Sequence, residues 1–199
     1  MPWPKLLPAL LLAFSFGHVC AQTYILHGKI KGVDDGWAFV RHRQTGKTDP
    51  GQIAQGRFTV SGPITDPEFC NFGYSGGRTK DYYLGFFLQR GTFTIKADTA
   101  ALNDIGIVFT GSPVEKVFQQ FQRQVAYINR HYYPESINSR LERLTASYAL
   151  KHPGSYISAF ALDSYENDPA KLSRLYKRLS PKIQQSYYGR LIQGKLAQH

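Results

Sequence analysis

Residues 73–77, Gly-Tyr-Ser-Gly-Gly, carry the G-x-S-x-G spacing of a hydrolase nucleophile elbow, with Ser75 in the nucleophile's place. That chemistry needs the serine on a sharp strand-to-helix turn, a base in reach, and donors for an oxyanion. After Ser75 comes a polar run, GGRTK, and then another strand-like stretch, so the context reads as a glycine-rich hairpin loop. Glycine amides beside Arg78 and Lys80 attract anions. Walker spacing and a following helix are both missing, which leaves Arg78, Lys80, Tyr82 and Tyr83 as candidate anion or partner contacts and no more. No catalytic residue is assigned.

Cys70, in DPEFCNF, is the only cysteine beyond Cys20. A reactive thiol needs a helix N-terminus, a neighbouring base or a cation, together with access to solvent. The local sequence offers Phe69, Phe72 and the acidic Glu68, so the reading is a packing cysteine, with thiol chemistry as the alternative. The histidines, His27, His42, His131, His152 and His199 among them, show no paired ligand spacing, so neither a metal site nor a cofactor is expected. Asp34-Asp35-Gly36 reads as a turn, because a calcium loop would continue with further acidic residues. Tyr82, Tyr83, Tyr132 and Tyr133 could form a stacking surface, although core packing is the stronger reading.

The start of the chain carries an address. One charge at Lys5, an apolar run from Leu6 to Phe16 and Val19-Cys20-Ala21 form an export signal over residues 1–21. Gly17-His18-Val19 argues against lipid attachment at Cys20. The expected location is the periplasm, with no transmembrane anchor. The 199-residue chain has a formal net charge of +10, distributed unevenly. Residues 22–112 hold a net of +2 and residues 113–199 a net of +7, a surplus that favours an anionic envelope component over nucleic acid, since no nucleic-acid motif is present. Ordinary solvated helix faces are the plainer account of the same charge.

The elements that must position these residues divide at the same place. Up to about residue 110, apolar residues alternate at period two between turns, as in Tyr24-Leu26, Phe58-Val60, Phe93-Ile95 and Ile105-Ile107. About seven antiparallel strands are expected. Ser112, Pro113 and Glu115 then spell a capping box with a helix-starting proline, followed by an apolar stripe of Val114, Val117, Phe118, Phe121, Val125 and Ile128. Further helices are expected from Pro134, after His152-Pro153-Gly154, from Pro169, and from Pro181 to the end. The fold class is therefore α+β, an antiparallel β-sandwich or barrel-like N-terminal half followed by a helical C-terminal half. In domains this gives a signal peptide at 1–21, a β-rich unit at 22–111 and a helical unit at 112–199, or one family domain over 22–199.

The phrases GRFTVSGPITDPEFCNF, LGFFLQRGTFTI, FTGSPVEKVFQQF and HPGSYISAFAL resemble the N-terminal domain of unknown function found in bacterial envelope thiol:disulfide interchange proteins, over roughly residues 23–195. In that family the redox work belongs to a Cys-x-x-Cys motif in a C-terminal thioredoxin-like domain. No Cys-x-x-Cys occurs here, and no family catalytic residue maps onto the chain. What the resemblance implies is a non-catalytic exported interaction or accessory module, with a thioredoxin-like protein or an anionic envelope component as partner. The alternative is a thiol-active protein forming mixed disulfides through Cys70.

Overall fold

The computed structural model describes residues 22–75, 82–98 and 107–198; residues 1–21, expected to be an export signal, and Arg78, Lys80 and Ile105 lie outside the described residues. Among the described residues, eight strands precede six helices. The strands are β1 Thr23–Lys31, β2 Asp35–His42, β3 Thr48–Ala54, β4 Arg57–Pro63, β5 Glu68–Ser75, β6 Tyr82–Leu88, β7 Gly91–Asp98 and β8 Ile107–Thr110. They form one sheet in the order β6-β5-β2-β3-β4-β1-β7-β8. Every pairing is antiparallel except β1 with β7, which is parallel. β6 and β8 stand at opposite ends of that order, yet Phe86 on β6 stacks on Phe109 of β8 with ring centroids 4.6 Å apart. The sheet must curl until its ends approach, giving a half-barrel. The α+β expectation holds.

Period-two alternation fills the inside of the curl. Tyr24, Leu26 and Ile30 on β1, Phe58 and Val60 on β4, Cys70, Phe72 and Tyr74 on β5, Phe86 and Leu88 on β6, and Phe93 and Ile95 on β7 all point inward and are buried. Burying side chains of this size contributes roughly 1.5–3 kcal/mol each.

One strand goes beyond the expected seven. Thr48-Asp49-Pro50-Gly51 reads as a turn, but it opens β3, paired along its length with β2 from Arg41↔Thr48 to Asp35↔Ala54. Proline lacks a ladder donor and survives where one side of a strand is little bonded. The register of β3 with β4 is limited to Ala54↔Arg57, which makes Pro50 tolerable. Gly51 allows the two backbones to come close, since a Cβ there would sit 2.2 Å from the Thr59 carbonyl oxygen.

The helices are α1 Pro113–His131, α2 Pro134–Lys151, α3 Tyr156–Tyr165, α4 Pro169–Tyr176, α5 Pro181–Gln184 and α6 Tyr187–Leu196. Ser112 caps α1 as expected, its hydroxyl accepting from Glu115 N–H. The carboxylate of Glu115 does not return to the cap; it accepts from Phe87 N–H on β6 instead. The single helix expected from Pro181 is two. Ser186 interrupts it by capping α6 at Gly189 N–H while donating to the Ile183 carbonyl. Gly189 then lies so near the α5 carbonyls that a Cβ would come within 2.2 Å of Ile183 O. Among the described residues no helix is long and apolar enough to cross a membrane.

Strand alternation also explains how the halves join. On β5 and β6 the residues out of phase with the barrel core, Phe69 and Phe87, face the helices. With Phe118 of α1, Phe160 of α3 and Tyr188 of α6 they make one aromatic nucleus with centroids 5.1 to 6.1 Å apart. Tyr188 also accepts Phe69 N–H at 3.3 Å. Phe87→Ala should cost about 3–5 kcal/mol in urea unfolding, and the helical and β signals in circular dichroism should shift together.

Candidate functional site

Two features place polar groups against apolar surroundings. The first is a cleft where the half-barrel does not close. α1 crosses the end of the sheet at β6, and its residues Glu115, Gln119, Gln122, Arg123, Ala126 and Arg130 recur at three- and four-residue spacing along one face. That face, with Phe118, forms one wall of a cleft of about 740 Å³ whose floor is Phe69, Leu84, Gly85 and Phe109. The other α1 stripe, Phe118, Phe121, Val125 and Ile128, is buried in the helical core. The stripe expected from the sequence thus packs, and the opposite face is left for the cleft.

Inside the cleft the floor is apolar and the mouth cationic. Arg123 and Arg130 are exposed, and among the described residues neither is in an ion pair. They stand seven residues apart on one helix, about 10 Å along its axis. Glu115, by contrast, is buried and committed: its carboxylate takes the Phe87 amide at 2.5 Å and the Gln119 amide at 3.0 Å. Burial pushes its carboxyl up to about 7 against those two hydrogen bonds. Because Phe87 directs its N–H to the free edge of β6, Gly85, two residues earlier, directs its backbone the same way. A Cβ on Gly85 would meet the Phe69 ring at 2.2 Å, so glycine keeps the floor open.

The second feature lies inside the barrel wall. His42 continues the inward series Ala38, Val40, and Glu68 begins the inward series Cys70, Phe72, Tyr74. His42↔Cys70 are register partners on β2 and β5. His42 Nδ1 lies 2.7 Å from Glu68 Oε1, and His42 Nε2 lies 2.9 Å from Asp49 Oδ2. Tyr24 donates to the same Asp49 oxygen at 2.7 Å, and the Gln44 backbone N–H donates to Glu68 Oε2 at 3.2 Å. A carboxylate only accepts, so both ring nitrogens donate and His42 is an imidazolium. Burial works against that charge, but the hydrogen bonds to Glu68 and Asp49 outweigh it and hold His42 above its ordinary value. Gly62 makes space for the arrangement, since a Cβ there would lie 1.8 Å from Asp49 Oδ2.

Cys70 is fully buried and belongs to this cluster, its sulfur 3.9 Å from His42 Nδ1. A base does stand beside the thiol, which the local sequence did not disclose. Burial first, then the charges of Glu68 and Asp49, nevertheless push the thiol far above its usual value, and a backbone hydrogen bond at Arg43 only partly offsets them. Phe69 and Phe72, its neighbours in sequence, lie on opposite faces, and only Phe72 shares the barrel core with Cys70.

The other expected residues are dispersed. Ser75 closes β5 opposite Trp37, in extended strand. Tyr82 and Tyr83 open β6 opposite Tyr74 and Gly73. Tyr132 lies under the Arg140 guanidinium, 3.4 Å from ring centroid to Cζ, while Tyr133 is 83 % exposed. Asp35 begins β2, and the Asp34 carbonyl accepts from Gly56 N–H.

A half-barrel of eight strands with a helical half docked on its open end defines an α+β module whose pronounced concavity lies at the junction. Within it, residues 24–118 match the family described as a domain of unknown function (DUF4369), a span that runs from β1 to the first turns of α1; it includes the buried His42 cluster and the apolar lining of the cleft but ends before Gln119, Gln122, Arg123, Ala126 and Arg130. Of the resemblance expected over residues 23–195, the match supports a domain of unknown function over that shorter span. No curated protein matches the chain at a significant level.

Two outcomes follow. A thiol reagent should modify Cys70 slowly in the native protein, at a rate that rises to that of a free thiol only when denaturant unfolds the barrel. Glu115 should impose a pH dependence on stability. Its folded value lies above its ordinary one, so its contribution is intact below about 4.5 and is lost as pH rises through about 7. Wild type should lose on the order of 3 kcal/mol more than Glu115→Gln over that range, as read by urea unfolding of both proteins at pH 5 and pH 8.

Proposed function

We propose that this protein is an exported, non-catalytic binding module whose cleft between α1 and β6 takes a small amphiphile with an apolar body and an anionic head. The observation that carries the reading is the cleft's mixed lining, apolar at Phe69, Leu84, Phe109 and Phe118 and cationic at the exposed Arg123 and Arg130. Its volume of about 740 Å³ lies in the range that encloses a drug-sized ligand. An acyl or aryl body would cover the phenyl and leucyl floor, and a carboxylate or phosphate would meet a guanidinium in a charge-assisted pair. The basic surplus of residues 113–199 favours the same sign of partner.

Export and a periplasmic setting rest on the N-terminal signal pattern. The link to thiol:disulfide interchange proteins rests on the resemblance of sequence phrases, and it too favours a non-catalytic role, because in that family electron transfer is performed by a separate Cys-x-x-Cys fold. Mixed-disulfide chemistry through Cys70 is disfavoured by the burial of its sulfur.

A dansyl-labelled fatty acid is the probe. Its fluorescence should rise saturably on titration with the protein. Arg123→Ala and Arg130→Ala should each weaken binding about tenfold, the equivalent of about 1.4 kcal/mol. Leu84→Asp should abolish the signal while the circular dichroism spectrum stays native. A titration without saturation, or one indifferent to all three substitutions, contradicts the reading.

A further inference from the structure

A cluster that the cleft does not use lies in the barrel wall. His42, Glu68 and Cys70 are all buried, and His42 Nδ1, a Glu68 carboxylate oxygen and Cys70 Sγ lie within 4.8 Å of one another. Imidazole, carboxylate and thiolate together are a donor set that zinc accepts. Three neighbouring donors in a protein interior are often only a hydrogen-bonded network, so the outer contacts must decide.

Those contacts have the arrangement of a metal-supporting shell. A metal-bound histidine characteristically gives its second ring N–H to a carboxylate, which fixes the tautomer and the ring plane. His42 does so through Nε2 to Asp49 Oδ2 at 2.9 Å, and Asp49 is held in turn by the Tyr24 hydroxyl. Nδ1 is thereby aimed at Glu68 and Cys70. Glu68 is similarly oriented: the Gln44 backbone N–H occupies Oε2 and leaves Oε1 pointing at Nδ1.

We propose that His42 Nδ1, Glu68 Oε1 and Cys70 Sγ form a zinc site, with Asp49 and Tyr24 as its orienting partners and a water in the fourth position. Tetrahedral zinc with ordinary bond lengths places nitrogen and oxygen about 3.4 Å apart, and nitrogen and sulfur about 3.6 Å apart. The observed separations are 2.7 Å and 3.9 Å, and the Glu68 oxygen and Cys70 sulfur lie within 4.8 Å of each other, so side-chain adjustments of about an ångström admit the ion.

The charge balance fits as well. Without metal, the imidazolium of His42 faces two carboxylates beside a neutral thiol, a net of minus one. Zinc displaces the Nδ1 proton and the thiol proton to solvent and leaves neutral imidazole, thiolate and two carboxylates around a divalent ion, again a net of minus one. Exchanging one Zn²⁺ for two protons therefore adds no buried charge, which removes the main electrostatic obstacle to filling an interior site. The role is structural: the ion would cross-link the last residue of β2 to the first residues of the neighbouring β5. It does not require the cleft to bind anything, so the two proposals fail independently.

The test uses the full chain, stripped with chelator and kept reduced, and titrated with Co²⁺ as a spectroscopic stand-in for Zn²⁺. One equivalent should generate a thiolate-to-cobalt charge-transfer band with tetrahedral visible absorption, and Zn²⁺ should bleach both. Cys70→Ser should lose the charge-transfer band, and Asp49→Asn should keep it with a 10- to 100-fold weaker affinity, the usual cost of a lost outer partner. Cys70→Ala is the second sulfur-free variant should the serine perturb folding, and native circular dichroism is required of each protein compared. Folded wild type without the band, or a band that survives in both sulfur-free variants, overturns the proposal.

Discussion

Everything distinctive about this molecule follows from a sheet that curls but does not close. Eight strands bring β6 and β8 near enough for Phe86 and Phe109 to stack, yet the two strands remain the ends of the sheet order. An open seam exposes strand edges and apolar floor, and both must be covered or used. The protein does some of each. α1 crosses the seam, Glu115 satisfies the Phe87 amide, and the remaining gap becomes the cleft.

The same constraint orders the rest of the chain. Because β5 and β6 are the strands on which the helices dock, their outward residues Phe69 and Phe87 are aromatic, while the outward positions of β1 and β2 include the exposed Ile25 and Trp37. The helical half thereby covers that face of the sheet, and the cleft wall is backed by the packed rings of Phe118, Phe160 and Tyr188. Inside the barrel the polar cluster obeys a different rule. Charges removed from water persist only when paired, and His42 between Glu68 and Asp49 meets that condition with both ring nitrogens engaged.

Elements with strong local signals were legible from sequence: the period-two strands, the Ser112-Pro113 start of α1, and the proline-marked starts of α2 and α4. β3 was not, because Pro50 and Gly51 are turn residues unless the neighbouring strand is known. The α5–α6 break was hidden too, since Ser186 caps only by virtue of its contacts with Ile183 and Gly189. Of the candidate site less was visible. Arg123 and Arg130 looked like a solvated helix face, and Glu115 looked like half of a capping box. His42 and Glu68 did leave a trace, as polar residues at inward positions of strands that were otherwise apolar. Joining them to Asp49 required β3, the strand the sequence concealed.

Backbone amide chemical shifts give the most direct view of whether the seam is a binding site. On adding the dansyl-labelled fatty acid to isotope-labelled protein, the account expects the amides of Leu84, Gly85, Gln119, Gln122 and Arg123 to move, and those around Cys70 and Val40 to stay in place. Perturbations spread over the barrel interior, or absent from β6 and α1 at saturating probe, would contradict it.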